Sequence, residues 1–187
     1  MIGRKNIVFG FLYLVLTAAL GPYMVNEVIP GVGEAGATKQ QSMSELQLMA
    51  SNDFERDLEP MDADAIARSN TQALLDLNRM LQSEAQLDEI KGGPHTHGNL
   101  ESVLNILAGL TLLFLTVPVW WKQAISWAFI LGALLHSGML YLGVIFGQGW
   151  AMQVLGTGIG PLLVLLGLLL AGIAAAVGFS REPVRDD

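Results

Sequence analysis

Residues 124–179 read AISWAFILGALLHSGMLYLGVIFGQGWAMQVLGTGIGPLLVLLGLLLAGIAAAVGF and contain no Asp, Glu, Lys or Arg. A helix needs about 20 apolar residues to cross the hydrocarbon core of a bilayer. The stretch therefore has room for two membrane-spanning helices, at 124–146 and 151–179, joined by the short turn at 147–149.

Two further apolar runs lie upstream, at 7–29 and 100–119. Backbone N–H and C=O groups inside lipid must be paired within the protein, so runs of this length are expected to be helical. The sequence thus predicts an all-α integral membrane protein built as a four-helix bundle. Its predicted parts are helix 1 within 1–29, an insertion at 30–98, and helices 2–4 within 99–180.

Charge is scarce and unevenly distributed. The 187 residues include 10 Lys and Arg against 17 Asp and Glu, and only 14% of the chain is charged. Segment 30–98 holds 12 of the acids and 5 of the bases, so the remainder is an almost uncharged apolar body. This composition excludes a soluble globular domain, and without a basic face no nucleic-acid partner is expected. With no Cys, a disulfide framework, a Cys-ligated metal and a Cys nucleophile are excluded as well.

The few bases outside the insertion predict the orientation. Arg4 and Lys5 precede the first span, Lys122 follows the second, and Arg181 and Arg185 follow the fourth. If all four spans cross, these bases share one side, which the positive-inside rule assigns to the cytoplasm. We therefore expect a bacterial inner-membrane protein with both termini cytoplasmic, including the tail 181–187, and with residues 30–98 extracytoplasmic. The first span is read as an uncleaved anchor, with a signal peptide as the alternative.

The acidic insertion is predicted to be helical. Helical spacing of apolar residues predicts a long helix at 62–87 and a shorter one at 42–52. Residues 30–36 (PGVGEAG) are read as a flexible exit from the membrane, and Gly92-Gly93-Pro94 as the end of the long helix.

The long helix carries an apolar stripe of Ile66, Leu74, Leu77 and Leu81. Such a stripe needs a partner, which is either the bilayer surface or protein. Because the segment is acidic, contact with anionic lipid is disfavoured. We therefore expect a homo-oligomer or a partner in a membrane complex, beside the lipid bilayer itself.

Two histidines and one acid are the candidate metal ligands. His136 lies in the middle of the third predicted span, where an ionisable side chain is a functional-site hypothesis by default. His97 and Glu101 are one turn apart on the second span, and Asn105 lies on the same flank. Imidazole and carboxylate together bind transition metals, so His97, His136 and Glu101 are the predicted ligands. The alternative is that these groups only form buried hydrogen bonds that position the helices.

Gly132 and Gly143 lie on the same stripe as His136. Two glycines beside an imidazole leave a groove. A crossing helix commonly uses such a groove in membranes, and a flat macrocycle would fit there too.

The four spans, with His97 at the start of the second, Asn105 further along it and Tyr141 late in the third, resemble the styrene oxide isomerase-like membrane proteins. The similar part is roughly residues 95–175. The resemblance implies a trimeric helical bundle that holds heme b through His97. It also implies Asn105 and Tyr141 as pocket residues and ferric heme as a Lewis acid that opens an epoxide. Ala133 stands near the place of the family's pocket acid, which is a departure from its pattern.

The functional hypothesis is a membrane protein that binds heme b or another transition metal and performs redox or Lewis-acid chemistry on a small apolar molecule. Asn105 and Tyr141 are its candidate catalytic residues. Its candidate cofactor-binding residues are His97, His136, Gly132 and Gly143. The alternative is a structural or accessory subunit without cofactor that docks partners through residues 30–98. A transporter is the third possibility, although no inverted repeat is visible.

Overall fold

The structure is a computed structural model and describes residues 1–56 and 59–184. Arg185, one of the bases that predict the orientation, lies outside the described residues. Within them the chain is almost wholly helical, with one ladder of two-residue strands, which confirms the all-α prediction. The elements in chain order are α1 (Gly3–Ala18), α2 (Leu20–Tyr23), a π-turn (Met24–Val28), α3 (Ile29–Ser51), β1 (Glu55–Arg56), β2 (Glu59–Pro60), α4 (Ala63–Ile90), a π-turn (Lys91–His95), α5 (Thr96–Leu112), α6 (Val119–Ala133), two π-turns (Leu134–Gly138 and Tyr141–Ile145), α7 (Gly149–Gly156) and α8 (Ile159–Gly178).

Three helical runs in the described residues are long and apolar enough to cross a bilayer. They are Gly3–Ser51, Val119–Ile145 and Ile159–Gly178. α5, at the place of the second predicted span, is a helix of 17 residues whose buried face is partly polar. The chain divides by its contacts into two units, residues 1–21 with 89–184 and residues 22–88. We call them unit 1 and unit 2.

In unit 1, α1 and α5 pack closely and run antiparallel. The buried residues of α1 recur every three or four positions and are small or polar: Gly3, Asn6, Gly10, Tyr13 and Thr17. A Cβ added at Gly3 would clash with Gly109, whereas one at Gly98 would clash with Thr17. Small residues let helix backbones approach in lipid, where van der Waals contact and interhelical hydrogen bonds drive association.

The other helices of unit 1 pack on this pair. α6 packs against α5 and α8, and a Cβ at Gly160 of α8 would lie 2.5 Å from the backbone carbon of Leu135. Near the other end of α6, Lys5 Nζ donates to Gln123 Oε1 at 2.6 Å and lies over the Trp127 ring. We call this the lysine end of unit 1, and the end where α5 begins the histidine end.

Unit 2 consists mainly of α3 and α4, joined by the turn that holds β1 and β2. Asp53 and Phe54 have positive φ in this turn, at 51° and 59°. Ser42 of α3 donates to Asp76 of α4 at 2.5 Å, and Asp76 is buried. The predicted helix at 62–87 is confirmed by α4. Leu74 and Leu81 of its apolar stripe are exposed, with 65% and 54% of their surface accessible.

The expectation of a flexible exit at 30–36 is wrong, because these residues belong to α3. Pro30 has no N–H and its ring would clash with the carbonyl four residues earlier in an α-helix. The π-turn at Met24–Val28 widens the helix just before this point, which relieves the clash and keeps the chain helical. The helix predicted at 42–52 is therefore only the second half of a longer one.

Two predicted spans differ from the observed helices. The helix at the span predicted for 100–119 ends at Leu112, because residues 113–116 pair instead with the last residue of α8 and the chain after it. Thr116 N donates to Gly178 O at 2.8 Å, and Ser180 N donates to Phe114 O at 2.7 Å. The span predicted at 151–179 is divided into α7 and α8 at Gly158, which has a left-handed φ of 71°.

Candidate functional site

The candidate site is centred on Glu101, a buried carboxylate in unit 1. Glu101 lies on α5 one turn after His97, so a regular helix is enough to put both side chains on one face. Only 5% of the Glu101 side chain is accessible. A buried carboxylate is costly unless its oxygens are hydrogen-bonded, so its partners define the site.

Those partners come from the π-turn after α6. Glu101 Oε1 lies 2.5 Å from His136 Nδ1, and Ser137 Oγ donates to Glu101 Oε2 at 2.5 Å. The Ser137 backbone N–H donates to the same Oε2 at 3.4 Å. Consecutive side chains of a regular α-helix do not face one another. The wider π-turn at Leu134–Gly138 lets two consecutive residues reach one carboxylate, and such turns often occur at functional sites.

Tyr13 of α1 extends the network. Its hydroxyl lies 2.9 Å from Ser137 Oγ. A serine hydroxyl has one hydrogen, and when Ser137 donates it to Glu101, Tyr13 donates to Ser137. We call Tyr13, His97, Glu101, His136 and Ser137 the imidazole cluster. Tyr13 was not among the predicted site residues, although the spacing of small and polar residues along α1 marks its buried face.

The two imidazoles of this cluster are in contact. The ring centroids of His97 and His136 are 4.7 Å apart, and the rings are tilted by 57°. The His136 side chain remains 17% accessible. With Nδ1 of His136 held by the carboxylate, its Nε2 keeps the lone pair that a metal ion or a proton would bind. Such a carboxylate–histidine pair fixes the tautomer and orientation of metal-binding histidines in general.

Asn105, predicted as a catalytic residue, is not brought to the histidines. It belongs to a second polar group, nearer the lysine end, that joins α1, α5 and α6. Asn6 Nδ2 donates to Asn105 Oδ1 at 3.1 Å and to Ser126 O at 3.0 Å, and Ser126 Oγ donates to Asn6 Oδ1. Asn105 Nδ2 donates to the backbone carbonyls of Glu101 and Phe129. We call Asn6, Asn105 and Ser126 the amide clasp.

The glycines beside His136 are covered by neighbouring helices. A Cβ at Gly132 would lie 2.7 Å from Val164 Cγ2 of α8, and one at Gly143 would clash with Met152 of α7. The groove predicted there is thus used for helix packing.

Tyr141 is the remaining candidate residue. Tyr141, predicted as catalytic, has its ring 5.9 Å from that of Phe146 and is half-buried. His95 Nδ1 lies 3.1 Å from the backbone carbonyl oxygen of Thr17, so His95 pairs with the end of α1.

The ring geometry tests which cofactor the histidines fit. Two imidazoles on opposite sides of one iron would have centroids about 6.3 Å apart, from metal–nitrogen bonds of about 2.0–2.1 Å plus roughly 1.1 Å to each centroid. At 4.7 Å, the centroids of His97 and His136 are too close for that arrangement. Both Glu101 carboxylate oxygens already take part in hydrogen bonds, with His136 and with Ser137. The carboxylate therefore orients His136 and is not itself a ligand. In the described part of the chain, no group of three His, Cys, Asp or Glu side chains converges on a common point.

Comparison of the chain with protein-family models, with curated proteins and with solved structures gives no significant match.

Proposed function

We propose that this chain is an integral membrane protein that binds a transition-metal ion between His97 and His136. The observation that carries the proposal is the contact of these two imidazoles, one of them oriented by a buried carboxylate. Ionisable side chains at membrane depth are expensive to keep and usually mark a site of chemistry. In this proposal α5 is the fourth membrane helix, and its polar face is sheltered by α1 and α6.

The proposal assigns a role to each residue of the imidazole cluster. His97 and His136 would be the protein ligands of the ion. Glu101 accepts a hydrogen bond from His136 Nδ1–H and so presents Nε2 to the ion. Ser137 and Tyr13 hold Glu101 in place. When bound, a metal here would supply Lewis-acid or one-electron chemistry on a small apolar molecule.

Metal content and absorbance of the purified protein test this function. In mild detergent, after loading with Zn²⁺ or Co²⁺, we expect about one ion for each His97–His136 pair. His136→Gln and His97→Ala should each lower the affinity by more than about 100-fold, because changes behind a ligand alone cost about 10–100-fold. His95→Gln is the matched control and should keep the ion. A Soret band in unloaded protein would instead assign the site to heme, and protein that takes up no ion and shows no colour would disprove both.

A structural or accessory subunit is the second candidate function. It is favoured by the amide clasp and by the covered glycines, which show that much of the polar and small-residue pattern serves helix packing. In this case the imidazole cluster is one more set of interhelical hydrogen bonds. Unchanged stability of the complex with its partners in His136→Gln, together with absence of metal, would favour it.

The orientation is part of the proposal. Arg4 and Lys5 lie in the first turn of α1 and Lys122 in the first turn of α6, at the lysine end, and Arg181 follows α8 there. We propose that the lysine end faces the cytoplasm and that residues 30–98 are extracytoplasmic, in a bacterial inner membrane. A reporter active only in the cytoplasm should work at the C-terminus and stay silent when inserted within residues 40–50. The reverse pattern would overturn the orientation.

A further inference from the structure

A hollow of about 380 Å³ opens at the histidine end of unit 1. It is lined by Glu89, Gly93, Leu140, Gly143, Val144 and Met152. Small-molecule sites in proteins have volumes of about 300–1,000 Å³ and are mostly apolar with a few placed polar groups. The hollow has this character.

The hollow is next to the imidazole pair along the chain. Gly93 precedes His97 by four residues, and Leu140 follows His136 by four residues. Gly93 and Leu140 are thus the lining residues nearest in sequence to the two imidazoles.

Two glycines give the hollow its shape. Gly93 departs from helical geometry, with φ −85° and ψ −106°, and a Cβ there would lie 3.7 Å from Leu140 Cδ2. At Gly143 the Met152 side chain packs against the bare backbone. The other side chains of the lining, those of Leu140, Val144 and the flexible Met152, are apolar.

Glu89 is the only charged group in the lining. It is exposed, and within residues 1–56 and 59–184 it has no ion-pair partner. A carboxylate beside an apolar wall favours a molecule with a positive hydrogen-bond donor at one end and a hydrocarbon body at the other. Neutral molecules of the same shape would gain only the apolar contact.

We propose that this hollow binds a small amine with a hydrocarbon body. Its ammonium group would lie on Glu89 and its hydrocarbon body against Leu140, Val144 and Met152. The inference goes beyond the metal site, because no lining residue is one of the proposed ligands.

The probe is 4-fluorobenzylamine, followed by ¹⁹F NMR line broadening with the full chain in lipid nanodiscs. 4-Fluorobenzyl alcohol is the uncharged comparison, and empty nanodiscs correct for partition into lipid. We expect the amine to bind more tightly than the alcohol. Glu89→Gln should weaken amine binding about two- to fivefold, the range for an exposed charge pair, and leave the alcohol unchanged. Glu84→Gln, a control on the same helix outside the lining, should change neither.

Filling the hollow gives the second test. Val144→Trp should abolish binding of both probes, and Val144→Phe, a smaller change, should weaken both if the Trp variant does not fold. Binding no stronger than in empty nanodiscs would overturn the proposal, and so would equal effects of Glu89→Gln and Glu84→Gln. In His97→Ala, loss of metal with intact amine binding would separate this site from the metal proposal.

Discussion

The imidazole cluster and the amide clasp lie on the same three segments of unit 1 but differ in chemistry. The amide clasp consists of side chains that do not titrate, all with 0% accessible surface and all hydrogen-bonded to one another or to backbone carbonyls. The imidazole cluster consists of ionisable side chains around a carboxylate, and of its four imidazole nitrogens only Nδ1 of His136 has a hydrogen-bond partner among the described residues. A buried polar network whose members are all hydrogen-bonded rigidifies a core.

This difference indicates that the two groups have separate roles. The clasp fixes the spacing of α1, α5 and α6 near the lysine end. With these helices so spaced, the imidazole cluster holds two histidines at the histidine end. Variants that act on one group and spare the other can therefore test each assignment, beginning with one that should break both.

Gly10→Leu should have the largest effect. Gly10 lies between Asn6 and Tyr13 on the buried face of α1, and a Cβ there would be 2.7 Å from Ser102 O. A larger side chain forces α1 away from α5 and opens both groups, so we expect a loss of about 1–3 kcal/mol or more in the free energy of unfolding. Denaturant titration in mild detergent measures this loss.

Gly172→Leu on α8 is the matched control, because a Cβ at Gly172 meets nothing within 4 Å. It should change the free energy of unfolding by less than about 0.5 kcal/mol. Equal losses in the two variants would show that α1 and α5 do not pack through Gly10.

Asn105→Leu should damage only the clasp. It leaves one Asn6 N–H buried without a partner, which costs about 1–3 kcal/mol of stability. Affinity for Zn²⁺ should stay within about twofold of the parent value, because the clasp touches neither imidazole and effects of separate sites are nearly independent. Loss of Zn²⁺ binding without loss of stability would show that Asn105 belongs to the metal site.

Glu101→Gln should act on the imidazole cluster. The neutral amide keeps the size of the side chain but removes the charge that orients His136, so metal affinity should fall about 10–100-fold. Equilibrium titration with Co²⁺ gives this value. Glu182→Gln, an exposed acid after α8, should leave the affinity unchanged. Identical titrations for Glu101→Gln and the parent would remove the carboxylate from the proposed site.

Tyr13→Phe should have the smallest effect of the series. It removes one neutral hydrogen bond to Ser137, which is worth about 0.5–1.5 kcal/mol, while Ser137 still donates to Glu101. Both stability and metal affinity should drop less than in Glu101→Gln. A loss larger than that of Glu101→Gln would make Tyr13, and not the carboxylate, the centre of the cluster.

Local sequence was sufficient for much of this molecule. The apolar runs at 124–146 and at 7–29 predict helices because the hydrogen bonds of a helix close within four residues and depend on nothing distant. The same locality puts His97 and Glu101 on one face of α5. At Pro30 the prediction of a flexible exit failed, because the π-turn just before it lets the helix continue through a residue that would break a regular α-helix.

Which residues of different helices contact one another was decided by the tertiary structure alone. Tyr13 and Ser137 are 124 positions apart, and Asn6 and Ser126 are 120 apart. Periodicity shows which side of each helix is buried, but it carries no information on the depth and rotation at which two helices meet. Those depend on close packing at Gly3, Gly10 and similar positions, where backbones touch. For this reason the sequence named His97, Glu101 and His136 together, yet placed Asn105 beside them and missed Tyr13.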